Sequence, residues 1–233
     1  MNYDTEEYKG YRIIIDYYQD PMNPRTEWDN AATMVCWHRN YDLGDSESWK
    51  GIDGKRKSQN LSKNYNEPID LLYELAGIDR DDLEEDMKYD DLIEEITKKG
   101  HLISALYLYD HSGITISMSS FGCRWDSGQV GWIYIKKEKI VEEWGEGEDA
   151  YEKAKKCMGG EVQVYDNYLT GEVYGFTIED PDGEHIDSCW GYYGDDGKED
   201  MLSECKSTID RHIKNKEKRA LLLGIQLKLE YGN

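Results

Sequence analysis

No CxxC pair occurs among the five cysteines, Cys36, Cys123, Cys157, Cys189 and Cys205, and their number is odd. Neither a thiolate zinc knuckle nor a disulfide framework is therefore indicated. No apolar run approaches the ~20 residues needed to span a bilayer. The first residues, Met1-Asn-Tyr-Asp-Thr-Glu-Glu7, are acidic and lack the basic and apolar regions of a secretion signal. Together these absences predict a reduced protein of the cytoplasm with no membrane partner. Walker, GxGxxG, HExxH and GxSxG motifs are also missing. No cofactor or metal is predicted, and an enzyme is the less favoured class. Positive charge is scarce as well: 28 Lys and Arg face 49 Asp and Glu, a formal net charge of −21. Such a surface repels nucleic acid and attracts basic partners; it also serves plain solubility.

Aromatic residues are what the chain has in quantity. Hydrophobic content is only 38%, but 19 Tyr and 7 Trp can do much of the burying. The pattern predicts a single α+β domain over 1–233: a mostly antiparallel sheet, a helical acidic insertion at 67–100 and a C-terminal helix at 198–229. The sheet is organised around Leu106–Ser117 and Arg124–Ile135. There Leu106, Leu108, Ile114, Ile116, Val130, Ile133 and Ile135 nearly alternate, predicting three strands of a meander. Asp110-His-Ser-Gly113 and Asp126-Ser-Gly-Gln129 predict its turns, since Asp and Ser bond nearby backbone and Gly tolerates positive φ.

Residues 10–18 read as a first strand and Thr33–His38 as a short buried one. Residues 40–67 are polar and punctuated by Gly44, Gly51 and Gly54, predicting a long exposed loop made basic by Lys55, Arg56, Lys57 and Lys63. Gly147–Met158 predicts a short helix ended by Gly159-Gly160. Glu161–Asp166 and Glu172–Ile178 then predict a second hairpin, and Ile186–Tyr193 a further strand. In the C-terminal helix Met201, Leu202, Ile209, Ile213 and Leu221–Leu223 are apolar, while Lys206, Arg211, Lys214, Lys216, Lys218 and Arg219 make its exposed side basic.

Pro68 in a first turn, with Ile69, Leu72, Tyr73, Leu75 and Ala76 apolar before Gly77, predicts a helix. Residues 79–95 then carry ten carboxylates against Arg80 and Lys88. Leu83, Met87, Leu92, Ile93 and Ile96 give this section a buried side, so the helix pattern is amphipathic with one acidic face, and Asp90 can cap a final helix ending at Lys98-Lys99-Gly100. Duplex DNA presents one negative charge per ~1.7 Å of axis, a density that such a helix imitates. Asp81, Asp82, Glu84, Glu85, Asp86, Asp90 and Asp91 are the predicted contacts to a basic partner. A solvated helix face is the plain alternative.

Candidate chemistry sits on the turns and on one strand. Asp110, His111 and Ser112 have the residue types of a triad, but consecutive residues of extended chain point apart and cannot converge. His111 and Asp126, on neighbouring turns, are better placed to share a pocket with Asp110 and Gln129. Cys36 and His38 lie at i and i+2, on one face of a strand, a spacing that suits a thiolate–imidazolium pair or two metal ligands. Asp45, His111 or Cys189 would have to complete a metal site.

Several stretches carry a family resemblance: Pro24-Arg25, Trp28-Asp-Asn30, Thr33-Met-Val-Cys-Trp-His-Arg39, Tyr41-x-Leu-Gly-Asp45, Tyr109-Asp-His-Ser-Gly113, Trp125-Asp-Ser-Gly-Gln-Val-Gly131, Tyr174-Gly-Phe176 and Asp187-Ser-Cys-Trp-Gly191. In these the chain resembles a family of bacteriophage and mobile-element proteins; the acidic section and the C-terminal helix fall outside the likeness. The resemblance implies origin and not mechanism. Small acidic phage proteins often bind and block restriction or CRISPR machinery. It therefore implies an inhibitor in the host cytoplasm, acting on a basic host protein (a nuclease or CRISPR effector) without touching nucleic acid. Two alternatives stay open: a thiol- or metal-dependent hydrolase built from the Cys36/His38 strand and the 110–129 turns, and a virion structural or assembly protein.

Overall fold

The computed structural model describes residues 2–50, 56–83 and 85–231. Glu84 of the predicted contact set, and Gly51, Gly54 and Lys55 of the predicted loop, lie outside them. β1 (Asn2–Tyr8) and β2 (Tyr11–Tyr17) form a hairpin turned at Lys9 and Gly10, both at positive φ. Alternation along β2 sends Tyr11, Ile13 and Ile15 to a core and Arg12 to solvent. Asn23 caps the single turn of α1 (Pro24–Glu27), where Pro24 loses no helical hydrogen bond. β3 (Thr33–Cys36) follows, then a two-stranded ribbon of β4 (Ser46–Lys50) and β5 (Arg56–Asn60). The ribbon corrects the prediction of a plain loop over 40–67. Its strands, Ser-Glu-Ser-Trp-Lys and Arg-Lys-Ser-Gln-Asn, lack the apolar alternation that marks a strand in sequence.

α2 (Pro68–Ala76) starts at Pro68 with a capping box between Glu67 and Asp70 and stops at left-handed Gly77. The acidic section 79–95 is helical only in part. Arg80–Asp82 make one 3-10 turn, and α3 (Tyr89–Lys98) begins only after Lys88, which takes the cap position predicted for Asp90. The Asp79 side chain accepts the N–H of Asp81, the local aspartate bonding that competes with a helical ladder.

β6 (Leu102–Asp110), β7 (Ile114–Ser117) and β8 (Ser127–Ile135) match the three predicted strands. Their order is not a meander's, because β8 returns to the other side of β6. After α4 (Lys137–Trp144), α5 (Glu148–Thr170) runs straight through Gly159-Gly160 and absorbs the predicted strand at 161–166. Ala150, Ala154, Met158, Val162 and Tyr165 form one buried stripe at helical spacing, and its packing outweighs a propensity cost of ~1 kcal/mol per glycine. β9 (Val173–Glu179) and β10 (His185–Tyr193) form a hairpin, and α6 (Gly194–Tyr231) closes the chain. Leu221, Leu222 and Leu223, on its later turns, are exposed.

The sequence reading treats 1–233 as one domain; the contacts divide the chain into two compact units, Met1–Met22 with Gly171–Asn233, and Asn23–Thr170. In the first, α6 packs on the sheet β1-β2-β9-β10, burying Ile13, Ile15, Phe176, Ile178, Met201, Cys205 and Ile209. The second is built on the sheet β3-β8-β6-β7. Met34, Cys36, Leu106 and Ile133 on one face meet Ala154, Met158 and Tyr165 of α5; Val35, Trp132 and Tyr134 on the other meet Leu71, Leu92 and Ile96 of α2 and α3. The architecture is α+β with antiparallel sheets and a long C-terminal helix. No helix among the described residues is long and apolar enough to cross a membrane.

Gly131 of β8 pairs with Cys36 of β3, and a Cβ there would run into the backbone carbonyl of Val35. Gly131→Ala is expected to cost ~1–3 kcal/mol by overpacking. Urea unfolding will show a lower midpoint at unchanged slope; an unshifted midpoint would contradict the close approach.

Candidate functional site

The site residues of the second unit depend on one buried cation. The Arg25 side chain has no exposed surface. Its Nε and Nη2 donate to Asp45 at 2.6 and 3.0 Å, Nη1 to Glu161 at 2.7 Å and Nη2 also to the Ala32 carbonyl at 2.7 Å. The carboxylates are used again: Asp45 accepts the N–H of Met34 at 3.0 Å, and Glu161 those of Ala31 and Ala32 at 2.8 and 3.2 Å. Burial pushes the guanidinium's pKa down, but the hydrogen bonds to Asp45 and Glu161 outweigh it and hold the group charged. Nearby, Gly44 N–H donates to the Tyr165 hydroxyl at 3.1 Å. The loop between β3 and Asp45 is thus pinned at both ends.

That loop carries Trp37, His38, Arg39 and Tyr41. The first three line a hollow of about 350 Å3 whose other walls include Asp110, Trp125, Asp126 and Gln129. Trp37, Gln129 and Val130 also line a second hollow of about 240 Å3, with Pro68, Tyr89 and Trp132. The two therefore adjoin. A register irregularity on β8 opposite Leu106 and Tyr107 shapes the shared wall, as bulges do beside sites. Trp125 is 95% exposed, an unusual position for a large apolar ring.

The structure brings most of the predicted pocket residues together. His38, Asp110, Asp126 and Gln129 line the first hollow; His111 stands beside it, its Nδ1 3.4 Å from Asp126 Oδ2. The Tyr41 hydroxyl donates to Asp110 at 3.4 Å. Cys36 is the exception and corrects the thiol reading. Its side chain lies in the core against α5, and burial, then the Asp45 charge, push the thiol up to about 12. His38 Nδ1 accepts the N–H groups of Asn40 and Tyr41, both at 3.2 Å, and its ring stacks on Tyr41 at 4.9 Å. That leaves no thiolate–imidazolium pair. Asp45 is not free to complete a ligand set, since both its oxygens serve Arg25. Among the described residues no three His, Cys, Asp or Glu groups are placed to hold a metal ion.

Of the predicted acidic contacts, Asp86 is spent. Arg80 donates to both its oxygens, at 2.8 and 2.7 Å, and to Glu67 and Asp70 at 3.0 and 2.9 Å. The Arg80 bonds hold the Asp86 carboxyl below its ordinary range. Glu94 and Glu95 pair with Lys98. Asp81, Asp82, Glu85, Asp90 and Asp91 are exposed, with no ion pair among the described residues. Asp90 and Asp91 also offset the positive end of α3.

Trp37, Arg39, Trp125, Tyr89 and Trp132 are not among the site residues that the sequence predicts. For Trp37 and Trp125 a signal existed, a tryptophan flanking a polar candidate in Cys36-Trp-His38 and Trp125-Asp126; Tyr89 was hidden at the edge of the acidic run. Compared with protein-family models, curated proteins and solved structures, the chain finds no match in any of the three.

Cysteine alkylation tests the assignment of Cys36. At pH 8 iodoacetamide is expected to label exposed Cys189 first and to leave Cys36 and Cys205, both raised to about 12 by burial, unmodified until the chain is unfolded. Early labelling of Cys36, read by peptide mass spectrometry, would restore it as a nucleophile.

Proposed function

We propose that this chain is a phage-encoded inhibitor of a host defence system of the restriction or CRISPR type. It acts in the host cytoplasm by binding a basic protein directly. The observation that carries this reading is the set of carboxylates at Asp81, Asp82, Glu85, Asp90 and Asp91, exposed and without an ion pair among the described residues, where neighbouring acids are engaged. The segment is a turn followed by a helix, so it competes with a polyanion by charge density and not by helical mimicry. Single rim charges contribute little, but several of one sign steer association and reject acidic competitors. The phage resemblance supplies the class of partner. The hydrolase alternative draws less support, because Cys36 is turned into the core and no three metal-ligating groups come together among the described residues.

Replacement of Asp81, Asp82 and Glu85 by Lys, with Asp90 and Asp91 kept because they offset the positive end of α3, is expected to weaken binding roughly thirtyfold, since attraction becomes repulsion. The readout is plating of unprotected phage on hosts with an active restriction or CRISPR system. The wild-type chain should restore plating and the variant should not, at an unchanged melting temperature. Full restoration by the variant would remove this reading, and copurification with virions would favour a structural role.

A further inference from the structure

We propose that the paired hollows form a groove for an extended polypeptide segment bearing an arginine, the guanidinium entering beside Asp110 and Asp126. This rests on the reading of a basic protein partner and names the feature of it that is grasped. Charge comes first. The first hollow is walled by the carboxylates of Asp110 and Asp126 against the single cation Arg39. His38 adds no charge in the tautomer its contacts select, because Nδ1 accepts two backbone N–H groups and the proton sits on Nε2. The lining is therefore net negative.

Ring faces come second. Trp125 stands 95% exposed at the hollow and Trp37 forms a wall of both hollows. A guanidinium stacks on tryptophan better than any other side-chain cation, and it binds carboxylates through a planar fork. Third, the Trp37 indole N–H is closed off from solvent and has no acceptor among the described residues. An unpaired buried donor is costly. A small turn of the ring would offer it to a carbonyl of a peptide lying in the groove.

The second hollow has the character of an adjoining apolar subsite: Trp132 and Tyr89 stack with centroids 6.3 Å apart, and Pro68 faces them. Pro68 and Tyr89 are the first residues of α2 and α3, whose positive ends would favour an anion. Each end amounts to about half a charge. Asp90 and Asp91 in the first turn of α3 outweigh its end and its cap Lys88 together, while Asp70 in the first turn of α2 is paired with Arg80. The balance favours a cation at the Tyr89 side of the second hollow as it does in the first.

Two capped octapeptide mixtures test this on the full chain, identical except for arginine or its neutral isostere citrulline at one central position. Biolayer interferometry should show the arginine mixture bound ~10-fold or more tightly. Asp110→Asn with Asp126→Asn should erase the preference, and Trp125→Ala should weaken it several-fold, circular dichroism confirming the fold. Arg39→Gln should tighten arginine binding, whereas an anionic ligand would be held less well by it. Equal or absent binding of the two mixtures, or weakening by Arg39→Gln, would overturn the groove assignment. Failure here, while charge reversal at Asp81, Asp82 and Glu85 still abolishes phage plating, would remove the groove and leave the inhibitor reading. Arginine preference with plating unaffected would do the opposite.

Discussion

A guanidinium with no exposed surface must be surrounded by acceptors, and Arg25 organises the second unit for that reason. Taking three charges out of water costs several kcal/mol per ion, and a well-packed apolar replacement is often as stable. What the cluster does provide is position. Through Arg25, Asp45 and Glu161, three segments distant in sequence are tied together: α1, the end of the 37–45 loop, and the middle of α5. Each carboxylate also takes backbone N–H groups of residues 31–34. The loop between these anchors presents Trp37, His38 and Arg39 to the hollow, so the groove's shape follows from a salt bridge that never touches it.

The same logic sorts the chain's excess of acid. Asp45 and Glu161 hold the interior, Asp86 is clamped by Arg80, and Asp180 accepts the N–H groups of its own turn at Asp182 and Glu184. Part of the positive charge of α6 is spent as well, Lys206 on Glu6 and Lys216 on Asp180. A net charge of −21 says little by itself about a binding surface. The informative carboxylates are those left over once internal partners are assigned, and Asp81, Asp82, Glu85, Asp90 and Asp91 are among them.

Elements whose signals are local were legible in the sequence. Pro68 and Gly77 bounded α2, and near-alternation marked β6, β7 and β8. Several of the misses share one cause, that long-range packing overrode a local rule. Gly159-Gly160 did not end α5 because the stripe from Ala150 to Tyr165 is buried along its length. The order of β8 and β7 depends on pairing across the sheet, to which strand periodicity is blind. Pairing of Arg25 with Glu161 spans 136 positions, and Glu161 had been read as part of a strand. For the site, the turn after Asp110 was legible, whereas Asp126-Ser-Gly-Gln129 has the residues of a turn but runs into the start of β8 and pairs with β6. Cys36 was misjudged, because i and i+2 share a face only while the strand continues, and β3 ends at Cys36. The aromatic lining was not legible, since tryptophan and tyrosine look the same in sequence whether they build a core or a groove.

Native-state hydrogen exchange on the wild-type chain and on Glu161→Gln tests the dependence on Arg25 most directly. In the wild type, the amides of Ala31, Ala32, Met34 and Gly44 should exchange only through global unfolding. In Glu161→Gln they should open locally and orders of magnitude faster, while amides of α3 and of the first unit keep their protection. If those amides exchange quickly in the wild type, or stay protected in the variant, the buried cluster does not hold the loop that shapes the groove.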